Sequence, residues 1–488
     1  MSQPRLKPID RKQSYWGPVD VENLIGQDHI ARAIWDLTGR LDLSAFLKNN
    51  KAVEGHAGAG RTDPRLLLGV WVYGLTLGIG AARELARRLN QEPGLRWLSG
   101  DEEINAHTLS DFRVGHQAAL DGLFSQLLAA LSEAGMVKLE QLTVDGTKVQ
   151  AQASGASLRR EPRLRERLEQ AEAIVKELSQ DHSEAAHSKR AAARRRAAAE
   201  QQERLQEALQ ELEEIRKHKP AAERAQARVS VSEPEARVMK NGQGGFALAY
   251  NVQSVVDAAN KIVMNVAVTR SAGDQQQLTA ALERVGPLKP HTQVLVDGGY
   301  LTEQSISQAQ QQGVELIGPH LEREASRERG CAQSLAQAGI AAEFGPQAFR
   351  IVEDGGALEC PAGKRLERIS KAARHDQYRA QASDCSRCEH GARCCPSSGQ
   401  RSVKIKRPNP VVEAFHQRMR QPEFAALYKG RGPVAEFPHA WWKEKFRLRK
   451  FHVRGLAKVR MEITLAALAY NMQQWVRLIW RPAQPASV

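Results

Sequence analysis

Two short segments of the chain share the same ending, and this constrains the fold more than any other feature. Residues 142–146 read Leu-Thr-Val-Asp-Gly, and residues 294–298 read Val-Leu-Val-Asp-Gly. Each pattern predicts a strand that ends in a carboxylate, Asp145 or Asp297, followed by a glycine that lets the backbone turn away from an approaching phosphate. We therefore expect two strands to present their aspartates to one site.

The chain around these aspartates alternates between strand and helix patterns. Phe246 to Asp257 and Ile262 to Thr269 predict a β-hairpin, with Asp257 as a turn residue. A helix that Asp274 would cap, running to Val285, leads into the second aspartate strand, and a further helix and strand end at Ile317. Such alternation predicts an α/β core, in which a mixed sheet is flanked by helices.

Helical patterns dominate two other stretches. Apolar residues recur at helical spacing up to Val137, and a charged block from Leu158 to His218 predicts two antiparallel helices with a turn at Ser179 to Ser183. Each stretch has a basic face that would either contact DNA or remain a solvated helix surface. These faces consist of Arg83, Arg87, Arg88, Arg96 and Arg113 in the first stretch, and of Lys189, Arg190, Arg194, Arg195 and Arg196 in the second.

The overall charge indicates the kind of partner. The 488 residues carry a formal net charge of +14, which favours a polyanion such as nucleic acid. No apolar window is long enough to cross a membrane, and the first residues lack the apolar region of a secretory signal. We expect a cytoplasmic, nucleoid-associated protein that binds DNA and no membrane.

Paired aspartates in a basic protein suggest a metal site for phosphodiester chemistry. Two Mg²⁺ or Mn²⁺ ions can activate an attacking oxygen and stabilise the leaving one, and they require few carboxylates beyond water and substrate. The candidates for a third acid are Glu436, Glu444 and Glu462. We favour Glu436, because Pro438 and the preceding glycines predict that it opens a helix, where the dipole favours a carboxylate. Glu462 is expected to be exposed.

The sequence around Glu436 resembles a known family. Tyr428, Arg431, Glu436 and Lys443 follow the order of the Tyr, Arg, Glu and Lys signature of bacterial insertion-sequence DDE transposases, with one additional residue between Arg431 and Glu436. The contexts of the two aspartates and the tail from Phe451 to Asn471 are also similar to that family.

The resemblance implies an RNase H-like catalytic core, with Asp145, Asp297 and Glu436 as catalytic metal ligands. Tyr428, Arg431 and Lys443 would contact phosphate or DNA. The implied activity is cleavage at terminal inverted repeats and strand transfer into target DNA, by a homodimer or larger synaptic assembly. The implied units are a helical DNA-binding domain at 1–137, a core at 138–345 interrupted by a helical insertion at 155–235, a cysteine-rich insertion at 346–400, and C-terminal core helices at 401–480.

The six cysteines all lie between Cys331 and Cys395. A local cluster favours a thiol site over a chain-wide disulfide framework. Cys360, Cys385, Cys388 and Cys394 have spacings compatible with a structural Zn²⁺ site, for which His390 and Cys395 are possible substitutes. The alternative is a set of reduced thiols in an insertion.

Two other functions are compatible with parts of the sequence. A tyrosine-type recombinase would use Tyr470 as its nucleophile together with His452 and Arg454, but it would leave the paired acids unexplained. A catalytically inactive DNA-binding protein descended from a transposase would retain the acids without using them.

Overall fold

The computed structural model describes residues 20–48, 60–180, 188–242, 244–319, 321–352, 355–371, 375–406 and 409–484. Its N-terminal part is built of short helices whose starts follow from local sequence. Asp63 accepts a hydrogen bond from the Arg65 N–H at 2.8 Å, and Asn105 accepts one from Thr108 at 2.9 Å. The helices are α1 (Ile30–Thr38), α2 (Pro64–Thr76), α3 (Ala82–Arg88), α4 (Pro93–Ser99), α5 (Ala106–Val114) and α6 (Gln117–Glu133).

The next part begins with a long strand and the predicted helical hairpin. Strand β1 (Gln141–Gln150) leads through β2 (Leu158–Arg159) into α7 (Glu161–Gln180) and α8 (Lys189–Lys217). An ion pair of 2.6 Å between Arg216 and Glu161 joins the end of α8 to the start of α7, so the two helices are antiparallel as predicted. The predicted turn extends beyond residue 180 and lies largely outside the described residues. Short α9 (Ala221–Arg224) and β3 (Val229–Ser230), which pairs with β2, return the chain to the core.

The large sheet contains both aspartate segments. Its remaining strands are β4 (Arg237–Lys240), β5 (Phe246–Asp257), β6 (Ile262–Thr269), β7 (Gln293–Val296) and β8 (Glu315–Ile317). Its order is β4-β5-β1-β7-β8, and β6 also pairs with β5. The pairs among β4, β5, β6 and β1 are antiparallel, whereas β1–β7 and β7–β8 are parallel. The hairpin and the mixed sheet agree with the prediction.

Helices pack against the large sheet. Helix α10 (Leu278–Glu283) leads from β6 to β7, α11 (Glu303–Gln311) connects the parallel strands β7 and β8, and α12 (Leu321–Gln337) follows the sheet. The N-terminal helices share one hydrophobic core with β5, β6 and the last long helix of the chain. A second core lies between β7, β8, α10 and α11.

A separate antiparallel sheet, the cysteine-bearing sheet, follows. Its strands are β9 (Arg350–Val352), β10 (Ala357–Glu359), β11 (Arg365–Lys371), β12 (His375–Ala380) and β13 (Ser402–Lys406). Their order in the sheet is β13-β12-β11-β10-β9, and α13 (Ala382–Ser386) and α14 (Gly391–Cys394) lie between β12 and β13 in the chain. The sheet has a small hydrophobic cluster of its own.

The C-terminal part is helical, but its boundaries differ from the prediction. A helix was expected to open at Glu436, whereas α17 begins at Arg431 and contains Pro438 in its interior. Pro433 is accommodated because the first helical N–H groups have no partner within the helix. The helices are α15 (Pro410–Met419), α16 (Pro422–Lys429), α17 (Arg431–Ala440), a π-helical turn (Trp441–Lys445), α18 (Leu456–Trp475) and a second π-helical turn (Val476–Trp480).

Candidate active site

The two predicted aspartates lie on neighbouring strands of the large sheet. Strands β1 and β7 are parallel, and Val144 is the register partner of Val296. Asp145 and Asp297 each follow one residue later, so they stand at the same level of the sheet. The parallel pairing thus brings together two carboxylates that are separated by more than a hundred and fifty residues of sequence.

Asp145 does not end its strand, contrary to the sequence-based expectation. Strand β1 continues to Gln150 because β5 pairs with it over this whole length, with Asp145 opposite Ser254 and Gly146 opposite Gln253. Gly146 is therefore not a turn residue. A Cβ atom there would lie 2.4 Å from the Gln253 Nε2 atom and 2.8 Å from the Asp274 Oδ1 atom, so the glycine makes room for these side chains.

Asp297 does follow the end of its strand, as predicted. Its Oδ1 atom accepts a hydrogen bond of 2.6 Å from the Gly299 N–H, which shapes the turn after β7. A Cβ atom on Gly299 would lie 2.9 Å from that same oxygen. The carboxylate thus organises its own turn while lying partly exposed beside Asp145.

The Asp145 carboxylate is largely buried and is held by α17. The Arg431 Nη2 atom lies 2.8 Å from its Oδ1 atom, and the His439 Nδ1 atom lies 3.7 Å from its Oδ2 atom. Burial raises the pKa of Asp145, an effect that Arg431 opposes and that the charges of Asp297 and Asp274 reinforce. Like charges held together in this way would be stabilised by a cation.

His439 was not identified from the sequence. Its Nε2 atom is 2.8 Å from the Ser254 hydroxyl oxygen, and its ring is buried between α17 and the sheet. Burial, together with the charges of Lys443 and Arg431, lowers the pKa of His439 to about 3, so the ring is neutral. Its spacing of eight residues from Arg431 places both on one helix face, a signal that the sequence does contain.

Glu436 is exposed on α17, whereas Arg431 and His439 on the same helix are buried. Its Oε1 atom points back along the helix, 3.9 Å from the position of a Cβ atom on Gly432. Among the described residues, no group of three or more His, Cys, Asp or Glu side chains is arranged to hold a metal ion. The structure therefore pairs Asp145 with Asp297 but does not gather Glu436 with them.

Lys443 reaches the sheet from the π-helical turn. Its ammonium group donates a hydrogen bond to the Thr147 hydroxyl oxygen, two residues beyond Asp145 on the same strand. Burial lowers the pKa of Lys443, and the nearby charge of Arg449 lowers it further. Lys443 therefore lies beside Asp145. Tyr428 is partly buried and packs against the core beneath β7 and β8.

The other candidate acids have structural partners. Glu444 is exposed and pairs with Arg449. Glu462 was expected to be exposed but is buried, because α18 packs against the N-terminal helices. Its carboxylate lies 3.5 Å from the Arg113 guanidinium and 2.8 Å from the His452 Nδ1 atom. Arg113 is consequently buried and does not belong to a basic surface.

The structure agrees with the predicted role of one further aspartate, Asp257, but not with that of another, Asp274. Asp257 accepts a hydrogen bond from the Ala259 N–H, as expected of a hairpin-turn residue, and it also accepts hydrogen bonds from the N–H groups of Lys138 and Leu139 ahead of β1. Asp274 was interpreted as a helix cap, but α10 begins four residues later, with Gln277 at the cap position. The Asp274 side chain instead faces the large sheet beside Gly146.

The four cysteines proposed for zinc line one cavity of about 30 Å³, together with Cys395. Cys360 lies in the turn after β10 and accepts a hydrogen bond of 3.3 Å from the Lys364 N–H. Burial raises the pKa of Cys394, and the Cys385, Cys360 and Cys388 thiols raise it further. The predicted cysteines therefore converge, although they do not form a metal-holding arrangement.

The arrangement of paired acids on a mixed sheet is consistent with the comparisons to known proteins. A family model described as a transposase DDE domain matches residues 359–476, and one described as a transposase domain (DUF772) matches residues 19–115. These matches show that the chain carries two transposase domains, one of them of the DDE type. The first match contains Glu436 but neither aspartate.

One solved structure has a weak likeness to the chain. It is the piggyBac transposase synaptic complex with hairpin DNA, at a TM-score of 0.30 and 10% identity, covering 96% of this chain and 76% of that one. A TM-score this low does not establish a common fold. No curated protein matches the chain. None of the described helices is long and apolar enough to cross a membrane.

Proposed function

We propose that the protein binds the ends of a mobile element and catalyses metal-dependent cleavage and strand transfer of DNA. The observation that carries this proposal is the pairing of Asp145 with Asp297 on adjacent parallel strands. The mixed sheet, with an antiparallel hairpin on one side of β1 and parallel strands on the other, supports an RNase H-like core. The charge of +14 and the two transposase domains support DNA as the partner.

The chemistry of the side chains fits a divalent cation. Asp145 and Asp297 offer oxygen ligands, and the pKa of Asp145 is raised by burial and also by the neighbouring charges of Asp297 and Asp274, which a cation would offset. Such an ion would activate the attacking oxygen and stabilise the leaving one. Glu436 is the proposed third ligand, and it would have to approach the pair when metal and DNA bind.

Basic side chains surround the paired acids. Arg431 neutralises Asp145 in the structure and is placed to pair with a phosphate once a metal holds that carboxylate. Lys443 would act in the same way beside Thr147, and Tyr428 is proposed to contact DNA. By analogy with its family, the protein would act as a homodimer or larger synaptic assembly.

The proposal is tested by a nicking assay on element-end DNA with Mg²⁺ or Mn²⁺. Wild type should cleave, whereas Asp145→Asn, Asp297→Asn and Glu436→Gln should bind the same DNA without cutting it. Asp257→Asn is a matched control, because that aspartate accepts backbone hydrogen bonds from Lys138, Leu139 and Ala259 and does not contact the paired acids. DNA binding by wild type without metal-dependent cleavage would instead indicate an inactive, transposase-derived binding protein.

The structure disfavours the tyrosine recombinase. The Tyr470 side chain is fully buried, and its hydroxyl group donates a 2.8 Å hydrogen bond to the carbonyl oxygen of Lys261. Burial also raises the pKa of Tyr470. His452, the second candidate residue, is paired with Glu462. Tyr470→Phe should therefore keep its cleavage activity, and a covalent protein–DNA adduct that this substitution abolishes would contradict our proposal.

We also propose a structural Zn²⁺ site formed by Cys360, Cys385, Cys388 and Cys394. The support is their convergence on one small cavity, and binding would require the four sulfurs to close around the ion. Metal analysis of the purified protein should find one zinc per chain, which Cys385→Ser and Cys388→Ser should each remove. Cys331→Ser is the control, because Cys331 does not line the cavity. Zinc-free wild type would refute this site.

A further inference from the structure

Asp274 is a fourth carboxylate beside the paired aspartates, and the proposed function does not use it. It lies in the loop between β6 and α10, with a side chain that is 20% exposed. One of its oxygens, Oδ1, accepts two hydrogen bonds of 2.7 Å, from the amide groups of Asn251 and Gln253. Both amides lie on β5 and are almost completely buried. Asp274 therefore fastens its loop to the central part of the sheet.

The Gln253 amide connects Asp274 to the segment that follows Asp297. Its Oε1 atom accepts a hydrogen bond from the Tyr300 hydroxyl group, while its Nε2 atom donates to Asp274. Tyr300 is completely buried, three residues after Asp297. Burial raises the pKa of Tyr300, and the charges of Asp274 and Asp145 raise it further, so the hydroxyl group stays a donor. The hydrogen bonds therefore run in one direction, because Tyr300 donates to Gln253 and Gln253 donates to Asp274.

Two glycines show how closely the hydrogen-bonded side chains of Asp274, Gln253 and Tyr300 pack beside the paired aspartates. Gly146, which follows Asp145, leaves the space that the Gln253 amide and the Asp274 carboxylate occupy. A Cβ atom on Gly299 would lie 3.8 Å from the Asp274 Oδ2 atom and 2.9 Å from the Asp297 carboxylate. Asp274 therefore borders both the strand of one aspartate and the turn of the other.

We infer that Asp274 is a positioning residue that, through Gln253 and Tyr300, holds the Asp297 turn beside β1 and keeps the two aspartates in register. This inference rests on the proposed function, because it assigns Asp274 a role at the same site. Asp274 supplies a hydrogen-bond acceptor to the amides. Its Oδ1 atom also lies 3.7 Å from the Lys148 ammonium group, farther than the two amide donors, so the amides are its main partners and an uncharged acceptor of the same shape should serve in its place.

The test compares Asp274→Asn with Asp274→Ala. Both amides donate to a single oxygen, so asparagine can keep both hydrogen bonds and should retain cleavage within about tenfold of wild type. Alanine removes the oxygen that both amides share and frees the turn, and it should slow cleavage about 100-fold, an effect that a 1 Å misplacement can produce. Tyr300→Phe should act in the same direction, and its effect should not add to that of Asp274→Ala if they belong to one network.

Mn²⁺ binding, followed by electron paramagnetic resonance, gives a second readout that does not require cleavage. Asp274→Ala should weaken binding about tenfold, as expected for a residue that orients metal ligands, and Asp274→Asn should restore it. Asp257→Ala, which disturbs the far end of β5, should lower the melting temperature without changing Mn²⁺ affinity.

The possible outcomes distinguish failure of the inference about Asp274 from failure of the proposed function. If Asp145→Asn is inactive while Asp274→Ala cleaves and binds Mn²⁺ like wild type, the inference is wrong and the proposed function stands. If Asp274→Asn is as defective as Asp274→Ala, Asp274 acts through its charge, and the positioning role is also wrong. If wild type does not cleave at all, the proposed function fails, and the Mn²⁺ measurements still decide whether Asp274 supports the paired carboxylates.

Discussion

The large sheet and the cysteine-bearing sheet differ in the size of the hydrophobic core that stabilises them. The large sheet has helices packed against it and shares its core with the N-terminal helices and α18. The cysteine-bearing sheet has a cluster of six buried residues, Phe349, Leu358, Leu366, Tyr378, Ala380 and Val403, and most of β11 is exposed. A large apolar core can tolerate buried charges such as Asp145. A small core needs an additional constraint, which a Zn²⁺ ion bound by the four proposed cysteines would provide.

The largest expected effect is on the rate of DNA cleavage, which should depend on the large sheet and not on the cysteine-bearing sheet. Asp145→Asn should reduce DNA cleavage about a thousandfold, the equivalent of several kcal/mol of charge stabilisation by metal. Cys388→Ser should leave the cleavage rate within about tenfold, because that thiol lies on the other sheet. Single-turnover nicking with both variants measures this contrast. An equal loss in the two variants would show that the sheets function as one unit.

The next prediction concerns the core that the large sheet shares with the N-terminal helices. Glu462→Ala should destabilise the protein by about 3–5 kcal/mol, since the buried Arg113 guanidinium would lose its carboxylate partner. The measurement is the shift of the main thermal transition. Glu444→Ala, at an exposed pair in the same part of the chain, is the control and should change little. A small effect of Glu462→Ala would mean that solvent reaches this pair.

A matched pair of leucines compares the two cores directly. Leu295 on β7 and Leu366 on β11 are both fully buried, so alanine at either position should cost about 2–5 kcal/mol locally. Leu295→Ala should lower the main melting transition. Leu366→Ala should instead increase protease cleavage within residues 346–406 while leaving that transition nearly unchanged. Identical behaviour of both variants would contradict the separate stability of the two sheets.

The smallest expected effect is a pH dependence at the large sheet. His439 has a folded-state pKa of about 3, below its ordinary value, so the folded protein holds the ring neutral. Unfolding therefore takes up a proton below about pH 6.5, and this contribution to stability is lost as the pH falls from 6.5 toward 3. His439→Gln should show a smaller decrease in melting temperature between pH 7 and pH 4.5 than wild type. An unchanged decrease would mean that another group takes up this proton.

Local patterns predicted the elements that depend on neighbouring residues. The hairpin of β5 and β6, the helix start at Asp63 and the antiparallel pairing of α7 with α8 follow from alternation, capping and apolar spacing. The strand patterns before Asp145 and Asp297 were also correct. The transposase family was recognised from the order of residues near Glu436, and the family models confirm it.

Other features depended on partners distant in the chain. Strand β1 passes beyond Asp145 because β5 pairs with it. Glu462 is buried because α18 meets the N-terminal helices, which no local pattern around residue 462 could indicate.

The sequence by itself determined which residues could perform the chemistry: two aspartates after apolar strands, a basic C-terminal helix region and a group of closely spaced cysteines. Only the tertiary structure decided which of them meet. It paired Asp145 with Asp297 through parallel strands, set Arg431 and His439 on Asp145, and brought Asp274 to the same edge through Gln253. The physical reason is that side-chain type is a local property, whereas burial and charge pairing arise between segments that only the folded sheet brings together.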